Sequence, residues 1–119
     1  MDESLVSLSA VEARRLIGNR ELSPLELLDA CIARIEALNP AVNALAATDF
    51  ERARAAARDA GQAVMRGDAL GLLHGLPIGI KDLEETAGLL TTYGSPLYRA
   101  HVPHKDHGLV ARLRAAGAI

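Results

Sequence analysis

Gly75-Leu76-Pro77-Ile78-Gly79-Ile80-Lys81-Asp82 is the stretch on which the interpretation of this chain turns. Leu76 to Ile80 is short and apolar, the pattern of a buried strand, although Pro77 and Gly79 are atypical inside one. The run ends on a lysine. Only two of the thirteen Lys and Arg residues are Lys, so Arg is the default surface cation here. An arginine stays charged in a protein, whereas a desolvated lysine can lose its proton and serve as a base. Lys81 is therefore a candidate for chemistry. The acidic residues that follow it, Asp82, Glu84 and Glu85, leave open the alternative of a structural ion pair. Adjacent strand residues point to opposite faces, so pairing with Asp82 would need an immediate turn.

Upstream of this stretch the chain reads as three helices, each opened by a capping-box pattern. These patterns are Ser9-Ala10-Val11-Glu12, Ser23-Pro24-Leu25-Glu26 and Thr48-Asp49-Phe50-Glu51. They predict helices over about 9–18, 24–38 and 49–66. Asn39-Pro40 is expected to stop the second and Gly67 the third. Leu25, Leu28, Ile32, Ile35 and Leu38 recur at helical spacing in the second; Phe50, Ala53, Ala57, Ala60 and Val64 do so in the third. From Gly71 the helical period disappears, and five of the ten glycines fall between Gly71 and Gly94. Thr86 to Ser95 reads as a loop or tight turns around a short strand. Asp106 is expected to cap a last helix over about 106–117. Ala118-Ile119 then looks like the first step of another buried strand. The fold class expected is α/β: N-terminal helices plus the first strand or strands of a sheet, interrupted rather than complete, in a single domain over 1–119.

Composition narrows the function classes. Half of the 119 residues are hydrophobic, mostly Ala and Leu, as in a globular protein rather than a disordered one. A net charge of −2 offers no electrostatic case for direct nucleic-acid binding or an anionic membrane. A single cysteine, Cys31, cannot form an internal disulfide, and no N-terminal signal pattern is present, so a reducing cytoplasm is expected.

Rival sites fare poorly on spacing. In a phosphate loop, Ile80 would stand where the second glycine belongs and Asp82 where the hydroxyl belongs. His101, His104 and His107 invite a metal, but Pro103 interrupts any common helix and no cysteine is near. Solvated loop imidazoles are the simpler expectation. His74 is expected to be a hydrogen-bonded structural residue, and Cys31 a small buried hydrophobe.

Taken together, the ordered blocks resemble the amidase signature family of C–N hydrolases. Glu21-Leu22-Ser23-Pro24 and Arg34-Ile35-Glu36-Ala37-Leu38-Asn39-Pro40 are similar to its N-terminal helices. The sharper match is Leu73 to Asp82, followed by Thr86-Ala87-Gly88-Leu89 and Thr91-Thr92-Tyr93-Gly94-Ser95, with Asp106 to Ile119 closing the similarity. The resemblance implies the mixed sheet of that family and a Ser–Ser–Lys triad in which Lys81 is the base. Both triad serines belong to a Gly/Ser-rich block downstream of these residues, and no such run occurs here. Ser23, Ser95 and the other serines inherit no role, and the oxyanion hole is missing for the same reason. Leu90 stands where relatives usually carry Pro. The implied reaction is hydrolysis of a small-molecule carboxamide without metal or organic cofactor, with these 119 residues inactive alone. The family also contains the amidase-like subunit of the glutamine-dependent tRNA amidotransferase, an alternative of the same fold. A non-catalytic truncated interaction module is the rival from another class. An incomplete sheet would leave apolar faces exposed and favour self-association or a homo-oligomer.

Overall fold

The computed structural model describes residues 3–119 and, among them, contains five α-helices, one short 3-10 turn and no β-strand. The helices are α1 (Glu3–Val6), α2 (Ala10–Gly18), α3 (Pro24–Val42), α4 (Phe50–Arg66) and α5 (Gly108–Ala115), with the 3-10 turn at Pro96–Tyr98. The expected α/β class is thus corrected to an all-helical one. Nothing in the composition of 76–80 is at fault; a strand needs a ladder. Leu76 and Ile78 exchange two backbone hydrogen bonds with Ile119, of 2.9 and 2.8 Å. The amides of Gly79, Ile80 and Lys81 find no backbone partner among the described residues. Two further bonds join the same segments, Leu73 N–H to the Ala116 carbonyl oxygen and Gly75 N–H to that of Gly117, both 2.9 Å, but they fall at turns and the pairing does not continue past Ile78. Ala118-Ile119 forms no strand either, and Ile78 is exposed rather than buried.

The helix starts follow local chemistry. Ser9 Oγ accepts from the Glu12 N–H at 3.1 Å, and Ser23 Oγ from the Leu25 N–H at 3.1 Å, with Pro24 at the first helical position. Two caps differ from expectation by one residue. Asp49 rather than Thr48 caps α4, accepting from the Arg52 N–H at 3.0 Å. His107 rather than Asp106 caps α5, because the Asp106 carboxylate is held by the Ala87 N–H and by Arg114, both at 2.8 Å. The predicted stop at Asn39-Pro40 is also corrected: α3 continues to Val42 with Pro40 inside it. Asn43, in the left-handed region at φ 48°, ends the helix. The Asn39 side chain fixes the exit by bonding Leu45 through both its N–H and its carbonyl. A proline in the last turn costs one helical bond, and the Asn39 contacts fasten the helix end beyond it. The four-residue α1 has no signal in the sequence.

Two packed clusters hold the helices. Ala13, Ile17, Leu22, Leu27, Val64 and Leu76 form the first; Leu28, Ile32 and Ala57 form the second, between α3 and α4. Ala57 is fully buried, and a Cβ added at Gly61 would lie 3.8 Å from Pro24 Cδ, so small residues on α4 let the two helices approach closely. Gly117 ties the chain's last residues to this body. Its φ of 96° suits glycine, and a Cβ there would lie 2.7 Å from the His74 Cα. His74 itself bonds the Ala60 carbonyl oxygen through Nε2 at 2.9 Å, the structural role expected of it.

Candidate active site

α3, α4, residues 77–83 and the end of α5 surround an open cavity of about 680 Å³. Its wall is largely apolar: Leu28 and Ile32 from α3, Phe50 and Ala53 from α4, and Ile78 and Ile119 opposite. Its polar lining includes Arg52, Lys81, Asp82, Glu84, Tyr93 and Arg114. Lys81 lies on this wall as an exposed side chain, not the buried one expected at the end of a strand. Without a ladder the segment leaves the core after Leu76, and Lys81 follows it outward.

The acidic residues after Lys81 are all occupied by the returning chain. Asp82 Oδ1 accepts from the Thr92 N–H at 2.7 Å, and Asp82 Oδ2 from the Thr92 hydroxyl. These bonds, the hydroxyl's foremost, hold the Asp82 carboxyl below its usual range. Glu84 Oε2 lies 2.9 Å from His107 Nδ1. That nitrogen also faces the Leu109 N–H at 3.2 Å, so it donates to Glu84 when protonated and otherwise caps α5. Glu85 Oε1 accepts from the Tyr93 hydroxyl at 2.5 Å and lies 3.1 Å from His101 Nε2. The phenol, then the imidazole, lowers the Glu85 carboxyl. In return Glu85 pushes Tyr93 up to about 12. Tyr93 is fixed further by edge contact with Tyr98, at a centroid distance of 4.9 Å, and by stacking on His101. Its backbone is left-handed at φ 54°, uncommon for a residue with a side chain, and the adjacent Gly94 is left-handed as well.

These contacts set the pH limits of the loop. Asp82, Glu85 and Asp106 titrate below their ordinary values of 3.8, 4.5 and 3.8, so their stabilisation is complete above about pH 4.5 and is lost as pH falls through the lowered values. For Tyr93 the sign reverses. The folded state favours the neutral phenol, so that contribution is full below 10 and disappears between 10 and about 12. Melts recorded against pH should show both edges, and Tyr93→Phe should remove part of the alkaline one. An unchanged alkaline slope in that variant would assign the loss to other groups.

The remaining candidates separate cleanly. Ser9, Ser23 and Ser95 hydroxyls each accept from a backbone N–H at the start of a helical turn. His101 and His107 are engaged with Glu85 and Glu84, whereas His104 is exposed, so the three imidazoles are not the uniformly solvated set expected. No group of three His, Cys, Asp or Glu side chains among the described residues is placed to hold a metal. Cys31 is half-buried against the first cluster, and burial pushes its thiol up. No helix among the described residues is long and apolar enough to cross a membrane. The sequence marks Thr92 and Tyr93 only as loop residues; the Tyr93-Gly94 pair is the one signal of a special backbone there.

The sequence profile of the Amidase family matches residues 26–119. The chain is 44% identical over 115 residues to a glutamyl-tRNA(Gln) amidotransferase subunit from Roseiflexus castenholzii, covering 97% of this chain and 23% of that protein. It is 42% identical over 120 residues to a putative amidase, AmiD, of Mycobacterium tuberculosis, covering 100% of this chain and 25% of that one. Among solved structures, one from a vestigial protein complex bearing on the origins of an s-triazine catabolic enzyme superposes with a TM-score of 0.89 at 34% identity, covering 94% of this chain and 25% of that one. The chain belongs to the amidase family. It spans about a quarter of the length of the curated relatives it matches.

Proposed function

We propose that this chain supplies the base of an amide-hydrolysing Ser–Ser–Lys site, with Lys81 as that base and a small-molecule carboxamide as substrate. The observation that carries it is the ammonium of Lys81 on a cavity wall, with no carboxylate partner among the described residues although three acidic side chains follow it within four positions. In this reading neutral Lys81 takes a proton through a bridging serine. That serine deprotonates a second, nucleophilic serine, which attacks the amide carbonyl and forms an acyl-enzyme. Both serines lie outside these 119 residues. No metal or organic cofactor takes part, and the half-buried, free Cys31 fits a reducing cytoplasm.

The 44% identity to a tRNA amidotransferase component favours a second reading within the family, in which the same base serves ammonia release from glutamine. Both are tested first on the purified chain. It is expected to turn over no simple amide and to self-associate through the apolar cavity wall, seen by light scattering as species above 12.6 kDa. Turnover by the mass-verified chain would overturn the division of the triad. A monomer with a sharply cooperative melt would favour a non-catalytic module.

A further inference from the structure

We propose that Asp82 and Thr92 form a positioning latch that keeps the nearest carboxylate away from Lys81, leaving the ammonium unpaired in the cavity. A lysine followed by three carboxylates within four residues has candidate ion-pair partners close in sequence and a flexible four-carbon stem with which to reach them. Here each carboxylate is turned to a different residue on the returning chain. Asp82, the nearest in sequence, is held twice by one residue, since Thr92 offers it both a backbone N–H and a hydroxyl. The hydroxyl is itself oriented. The Gly94 N–H donates to Thr92 Oγ1 at 3.2 Å, which directs the hydroxyl proton toward Asp82. The left-handed Tyr93-Gly94 pair makes that contact geometrically accessible. The buried Thr91, whose N–H donates to the His101 carbonyl oxygen at 2.9 Å, anchors the returning segment beside it.

The catalytic meaning of the latch rests on Lys81 as the base, but its test needs no turnover, so the two fail separately. Lys81 and Lys105 are the only lysines, and Lys105 serves as an internal reference. The intact chain is acylated at low stoichiometry with acetic anhydride, and the ratio of labelled Lys81 to labelled Lys105 is read by peptide mass spectrometry. An ammonium paired with a carboxylate holds its proton more tightly and reacts more slowly. Thr92→Val removes the hydroxyl and leaves only the backbone N–H at this position on Asp82 Oδ1, so that Oδ2 becomes free to pair with Lys81 and the ratio should fall by about two- to fivefold, the scale of an exposed ion pair. Thr92→Ser keeps the hydroxyl and should leave the ratio unchanged. Adding Asp82→Asn to Thr92→Val should restore it. An unchanged ratio in Thr92→Val of native helix content overturns the proposal, as does a fall that persists in the double variant. Should Thr92→Val lose helix content, Asp82→Asn alone decides. The wild-type ratio supports the latch, and a several-fold rise means that Asp82 was already paired with Lys81.

Discussion

In a full-length enzyme carrying this segment, Lys81→Ala is expected to lower kcat/KM by about 10²- to 10⁴-fold, the range for loss of a positioned general base. KM should change less than kcat, because in the proposed role the lysine acts on the proton of the nucleophile rather than on substrate binding. Lys81→Arg separates charge from proton transfer. Arginine restores the cation but cannot be deprotonated in a protein, so it should be as inactive as alanine. Activity near wild type in Lys81→Ala would remove the base role outright. Recovery by arginine would reassign Lys81 to electrostatic stabilisation. The position on the cavity wall makes the structural cost of either change small, since an exposed side chain without an ion pair leaves no buried partner behind.

Ile17→Ala should destabilise the chain by about 2–5 kcal/mol, the range for truncating a fully buried aliphatic side chain to alanine. Ile17 is 0% exposed and lies in the larger of the two clusters, with Leu27 of α3 and Val64 of α4. A Cβ built on Gly75 would come within 3.3 Å of Ile17 Cδ1, so the same side chain also supports the turn that leads into Lys81. Little can collapse into the space left, because Gly75 has no side chain and Pro24, on its other side, is held at the start of α3. Urea unfolding at low protein concentration measures the loss as a lower midpoint. A change below about 1 kcal/mol would mean that neighbouring side chains refill the site and that this cluster is not the main support of the fold.

The local devices were legible in the sequence and the non-local ones were not. Ser9, Ser23 and Gly67 mark helix ends through bonds to residues two to four positions away, which a linear reading captures. Pro40 misleads because only one helical bond is lost so near the end, and Asn39 and Asn43 fasten the helix end beyond it. Asp106 looks like a helix cap by position, yet a backbone amide 19 residues upstream claims it. Residues 76–80 have the composition of a strand, but strand formation is decided by a neighbour, and among the described residues no backbone partner extends the Ile119 pairing beyond Ile78.

By itself the sequence determined which residues can start and stop helices, which apolar faces they carry, and that Lys81 belongs to a motif shared with amidases. Those properties are set by covalent geometry and by hydrogen bonds closed within one turn. The tertiary structure alone decided the rest: the absence of a strand among the described residues, the exposure of Lys81 on a cavity wall, and the diversion of Asp82, Glu84 and Glu85 toward Thr92, His107, Tyr93 and His101. A carboxylate bonds whichever donor the folded chain brings within about 3 Å. Here the chain turns back between Thr92 and His107 and places those donors nearer than the lysine beside them.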